Sequence, residues 1–194
     1  MRNGAVVAVC ACASAQQPMI ANRVGPKSLA VAADHVGPIE ASTRADLATL
    51  RAVLSAYRVV AGPDGFDVFD GEEKVLEVRA ADDGGVANVL ATSPKIVAVD
   101  RGWRVGAAVH DTKVFTDCMC TGGEAGPSIM CWKAGEHVAV EFDHDCHDVI
   151  GGDREAIEEM TTGIRYLHVE VLDGERVKSL FWNAKPNESL DDRR

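Results

Sequence analysis

Hydrophobic positions fall into distinct stretches along the chain. Gly4 to Cys12 is an uninterrupted apolar run behind Met1-Arg2-Asn3. Residues 16–35 hold neither a helical nor a strand period; Gln16-Gln17-Pro18 and Gly25-Pro26 punctuate scattered alanines. Leu47, Leu50, Leu54 and Tyr57 then recur at spacings of three, four and three, one face of an α-helix. With Thr43 as N-cap and Asp46 in the first turn, this stripe predicts a helix over 44–56.

After Tyr57 the rhythm shortens to strands divided by turns. Segments 57–61, 66–69, 75–78, 86–90, 96–99 and 103–105 read as extended, separated by Gly62-Pro63, Asp70-Gly71, Asp82-Asp83-Gly84-Gly85 and Asp100-Arg101-Gly102. Residues 137–142 alternate, with Val138, Val140 and Phe142 on one face. A hairpin is expected from 164–172 and 177–182 around Asp173-Gly174, and a weaker helix over 153–160. The expected class is α+β: a mostly antiparallel β-sheet with one or two packed helices. Its parts would be a segment at 1–15, a flexible tether at 16–35, a single domain at 36–186 and a polar tail at 187–194.

The 194 residues suit one domain with tails. Hydrophobic residues make up 46% but aromatic ones only 5%, so aliphatic side chains must fill the core. A net charge of −10 argues against a nucleic-acid partner, which needs a Lys/Arg surface to neutralise phosphates.

The N-terminus bears on compartment. A basic start, a short apolar run and Ala13-Ser14-Ala15 before Gln16 form the order of a cleaved export signal. The run is too short to span a bilayer permanently. Val9-Cys10-Ala11-Cys12 offers a second reading, a lipobox in which Cys12 is lipidated and begins the mature chain. A buried strand over 5–12 is the competing structural account. Export to the periplasm or the outer membrane, or secretion, is the expectation, with a lipidated N-terminus as a possible membrane tether.

Six cysteines are present: Cys10 and Cys12 in the leader, then Cys118, Cys120, Cys131 and Cys146. An even, clustered set in an exported chain reads as disulfides. The short loop from Gly122 to Pro127 favours Cys131 pairing with Cys118 or Cys120 across a hairpin, leaving the other for Cys146. Two other chemistries use the same atoms: a four-sulfur zinc site and a redox dithiol at Cys118-Met119-Cys120. Beside them, Asp143-His144-Asp145-Cys146-His147-Asp148 packs metal-ligating groups densely, so Asp143, His144, Cys146 and His147 form an alternative metal set. The favoured account is a solvated acidic loop.

No catalytic constellation emerges. His110, His137 and His168 have no nucleophile beside them in a motif, and Ser93 and Ser128 lack a nucleophile-elbow context. The Gly pairs at 84–85, 122–123 and 151–152 punctuate turns without opening a phosphate loop. Trp103, Trp132 and Trp182 would form either a binding patch or, as is more usual, core.

One resemblance covers roughly half the chain, from Gly37 to Cys131. Gly37-Pro38-Ile39, the helix at 44–56, Tyr57-Arg58-Val59, Leu76-Glu77-Val78, Ser93-Pro94-Lys95-Ile96, Val105-Gly106 and the cysteines Cys118 to Cys131 follow in order. This pattern resembles exported bacterial lipoproteins of unknown function, typified by an enterobacterial lipoprotein under envelope-stress (sigma-E) control. The resemblance implies an α+β envelope domain, often lipid-anchored, and carries over no catalytic residue. The expectation is therefore a non-catalytic, monomeric envelope domain that binds or scaffolds a partner protein or a small ligand, with no cofactor. The alternative is a metal- or thiol-dependent enzyme built on the Cys118–His147 region.

Overall fold

The structure, a computed structural model, describes residues 29–121, 128–144 and 172–189. Thirteen strands and one α-helix are found among these residues. They form two sheets.

The larger sheet has eight strands, all paired antiparallel. Strands β4 (Arg58–Ala61), β5 (Phe66–Asp70), β6 (Glu73–Ala80) and β7 (Val86–Ala91) run up and down as one meander. Strands β10 (Asp117–Thr121), β11 (Ser128–Trp132), β12 (Val138–Phe142) and β13 (Val177–Asn183) form a second. The two meanders join where β13 pairs with β7, Trp182 opposite Val89 and Leu180 opposite Ala91.

The smaller sheet collects two-residue strands in the order β3-β2-β1-β8-β9. These are β1 (Ala30–Val31), β2 (His35–Val36), β3 (Ile39–Glu40), β8 (Val97–Ala98) and β9 (Trp103–Arg104). β1 and β8 run parallel. The β2–β3 turn is Gly37-Pro38, and Gly37 has φ +55, a left-handed conformation that a side chain disfavours. A Cβ there would also lie 2.7 Å from Leu29 Cδ2.

Alternation in the strands decides what is core. Val59, Val68, Leu76, Val78, Val89, Ala91, Ile129, Cys131, Val140, Phe142, Leu180 and Trp182 lie on one face of the large sheet and are buried. They make a continuous cluster with Leu29, Val31, Val36, Ile39 and Ala98 of the small sheet and with Leu50 and Leu54. The Trp182 indole N–H donates to the Ala33 carbonyl at 3.2 Å and so ties the two sheets together. The opposite face carries a second small cluster of Trp132 and Ala139, flanked by Met119, Met130 and Phe181.

The α+β expectation is corrected: the described chain is mostly β. Its single helix, α1, spans Leu47–Val53 and packs on β4. The helix is shorter than 44–56 because its first residues are taken by strand-like pairing. Ala45 N–H donates to Gly84 O, Val86 N–H donates to Thr43 O, and Arg44 bridges Gly85. Asp46 becomes the N-cap, accepting from the Thr49 N–H at 2.9 Å. Thr43 instead accepts from the Glu40 N–H. The apolar stripe holds: Leu50 and Leu54 are buried and Leu47 and Tyr57 pack against the core.

Two boundaries also move. The last residues assigned to the tether, 29–35, include β1 and the buried Leu29, so they belong to the domain. Asn187 and Glu188, assigned to the tail, are fixed: the Glu188 carbonyl accepts from the Trp132 indole N–H at 2.9 Å, and Asn187 binds the β11–β12 link as described below. The helix expected at 153–160 and the strand at 164–172 lie outside the described residues, apart from Leu172.

Candidate functional site

Two turns face one another where the small sheet meets the large one. Asp100, Arg101 and Gly102 make the β8–β9 turn, and residues 133–137 link β11 to β12. Between them lies a cleft of about 320 Å³, walled by Val31, Ala33, Ala98, Trp103 and Val138. That volume is at the lower end for small-molecule sites, roughly 300–1,000 Å³. Small residues at Ala33, Ala98 and Gly135 leave the space open.

The polar groups of the cleft come from the turns. Arg101 Nη2 donates to Glu136 Oε1 at 3.0 Å, bridging the two turns. Lys133 Nζ reaches the same oxygen at 2.9 Å. Burial pushes the Glu136 carboxyl up, but Lys133 and Arg101 outweigh it and hold the group below the usual glutamate range. Among the described residues, neither Glu136 Oε2 nor the Asp100 carboxylate has a hydrogen-bond partner. The Arg101 guanidinium lies 5.9 Å from the centre of the Trp103 ring.

His137 completes the wall. Its Nδ1 is 2.7 Å from the Asn183 carbonyl oxygen. A carbonyl only accepts, so Nδ1 carries the proton and Nε2 is the acceptor of the neutral ring. The imidazole stacks on Trp182 at 6.1 Å.

The chain after β13 fixes this arrangement. Asn187 N–H and its side-chain amide both donate to the Glu136 carbonyl, while Gly135 N–H donates to Asn187 O. Asn183 Nδ2 in turn donates to Asn187 Oδ1 at 2.8 Å. The turn bearing Glu136 and His137 is thus held by three hydrogen bonds at two of its backbone groups before any ligand arrives, the preorganisation that lowers the cost of binding. A broader trough of about 690 Å³ lies along Ala80–Asp83 and Asn183–Glu188. It has no aromatic wall, so the smaller cleft is the better-formed site.

The cysteines are placed as follows. Cys118 and Cys131 face each other across β10–β11, their Cα atoms 4.0 Å apart, and are joined by a disulfide. Cys120 is disulfide-bonded as well. Cys146 and the lipidation candidate Cys12 lie outside the described residues. With these sulfurs bridged, a four-thiolate zinc site and a free Cys118/Cys120 dithiol are both ruled out, because ligation and nucleophilic attack need thiolates.

Of the alternative metal set, Asp143 and His144 are described and His147 is not. Asp143 is exposed and its N–H donates to Arg176 O. His144 Nδ1 lies 3.5 Å from Glu175 Oε1, and its Nε2 is buried with no hydrogen-bond partner among the described residues. His110 is exposed, 3.8 Å from Asp173. Trp132 and Trp182 are core, whereas Trp103 is half-buried at the cleft and packs against Phe115 at 5.1 Å. Ser93 and Ser128 are buried structural hydroxyls bound to Glu73 and Glu141. His168 is outside the described residues.

The cleft as a unit was not foreseen from sequence. Asp100-Arg101-Gly102 was legible as a turn and His137 as the start of a strand, but nothing in one dimension joins them. The only signal available was the polar clustering of Lys133, Glu136 and His137 beside Trp132.

No family model matches the chain, and no curated protein matches it. The fold resembles a solved structure, the uncharacterized protein yfeY from Escherichia coli. The two share 19% identity with a TM-score of 0.53, over 79% of this chain and 98% of that one. At that identity the likeness is one of fold.

Proposed function

We propose that this chain is an exported, non-catalytic envelope domain that binds a small ligand in the cleft between its two sheets. The observation that carries the reading is the hydrogen-bonding capacity left unmade there at Asp100, Glu136 and Arg101, beside an aromatic wall. Export rests on the leader order of residues 1–15, and membership of the enterobacterial lipoprotein group on the motif pattern together with a fold like that of the E. coli protein. The lipidated or cleaved N-terminus would leave the residues before Leu29 as a tether, and the domain would act as a monomer without a cofactor.

A photo-crosslinking amino acid at Val99, exposed beside Asp100, tests this in the native cell. Adducts recovered from the envelope fraction, and lost with Asp100→Ala, are expected. Cytosolic protein with Met1 intact would sink export. Adducts indifferent to Asp100→Ala would sink the cleft.

A further inference from the structure

Resting on that binding reading, we propose that the cleft receives a neutral, hydroxyl-rich ring, a pyranose sugar, laid against Trp103. Charge balance decides against an ion. Arg101 from the lining and Lys133 from outside it both pair with Glu136, and Asp100 is the second carboxylate, so positive and negative groups are equal in number around the opening. An anionic ligand would meet two carboxylates. A cationic one would meet Arg101.

The hydrogen-bonding inventory points the same way. Arg101 keeps donors beyond the one given to Glu136, while Glu136 Oε2, Asp100 and His137 Nε2 offer acceptors. A hydroxyl donates and accepts at once, so a ring bearing several can satisfy this mixed set without burying a net charge. The remaining walls, Val31, Ala33, Ala98, Val138 and the Trp103 indole, suit the C–H face of such a ring. The Arg101–Glu136 pair that spans the mouth is partly exposed, so opening it costs little.

Titration of the full mature chain, followed by backbone and indole amide NMR, tests the inference. The probes are glucose, N-acetylglucosamine and the N-acetylglucosamine tetramer, with benzoate and benzylamine as an anion and a cation carrying an apolar ring of similar size. Saturable shifts at Gly135, His137 and the Trp103 indole N–H are expected with the sugars and not with the ions. Tighter binding of the tetramer would identify a glycan strand as the source; equal binding would identify a free sugar. Asp100→Asn and Arg101→Gln, both exposed and so compatible with folding, should each weaken binding about tenfold or more, as loss of a hydrogen bond to a charged group does. Saturation by benzoate or benzylamine without the sugars would overturn the ligand class and leave the binding reading standing. If no probe moves these resonances, both fall.

Discussion

Removing the Cys118–Cys131 bridge by the double substitution C118A/C131A is the sharpest test of how the β10–β11 hairpin is held. The two residues are 13 apart, so the bridge closes a loop of about 14 residues. In the chain-entropy account, freeing a loop of that size costs about 3 kcal/mol through the unfolded state. Both side chains are fully buried, so losing two sulfurs also opens space in the core, adding on the order of 1 kcal/mol. The sum is about 3–5 kcal/mol, or roughly 6–20 °C in Tm for a chain of this size. Guanidinium melts measure it directly. They also separate the two contributions, because an uncrosslinked denatured chain exposes more surface and raises the m-value, whereas a cavity does not. The substitution is preferable to a reductant, which would open the Cys120 bridge too. A loss below about 1 kcal/mol with unchanged m, or labelling of Cys118 and Cys131 in the unreduced, denatured parent protein, would refute the reasoning.

Other positions give independent checks. Leu50→Ala truncates a fully buried helix residue and should cost about 2–5 kcal/mol in denaturant melts; a silent change would place the helix off the core. Gly65→Ala would set a Cβ 2.2 Å from the Val78 carbonyl oxygen, so a loss of at least ~1–3 kcal/mol is expected in the same assay. Burial raises the half-buried Glu141 carboxyl, but Ser128, Ser179 and Lys178 more than offset it and hold the group below its usual value. Its contribution to stability is therefore present above pH ~4.5 and fades as pH falls through the lowered pKa; Glu141→Gln should flatten that part of the stability–pH curve, and an unaltered curve would remove Glu141 from the account. Native-host protein should begin at Gln16 or at a lipidated Cys12 by mass spectrometry, and an intact Met1 would count against export.

Strands whose burial alternates were legible because period-2 patterning is written locally. Val138, Val140 and Phe142 face the core as their spacing implied, and Asp70-Gly71 makes the β5–β6 turn, with Gly71 at φ +63. The helix was legible by its stripe but not by its ends. Its first residues had good helical credentials, yet pairing with Gly84 and Val86 took Thr43 and Ala45, a tertiary contact that overrides local propensity. The class was misjudged for a related reason. Two-residue strands such as β1, β2 and β3 are too short to show any period, so three of the small sheet's five strands read as a tether and a loop, while β8 and β9 fall in segments that read as extended.

The same physics explains why the cleft was hidden while its scaffold was not. The family-like motifs fall on structural positions: Gly37-Pro38 turns β2 into β3, and Ser93-Pro94-Lys95 folds back on the β5–β6 turn. There Ser93 bonds Glu73, and Lys95 pairs with Asp70 at 2.7 Å and Glu73 at 2.9 Å. Such motifs position the small sheet against the large one. The cleft exists only at that joint, where Ala33 and Ala98 from one sheet meet His137 and Val138 from the other, and where Asn187 holds the turn that carries Glu136. Each contact spans dozens of residues, and Trp182 to Ala33 spans 149. Local pattern can therefore fix the scaffold and still leave the site blank. A chain that kept these structural motifs but changed Asp100, Arg101, Glu136 and His137 would retain the fold and lose this cleft's chemistry, so likeness of fold at 19% identity carries no ligand with it.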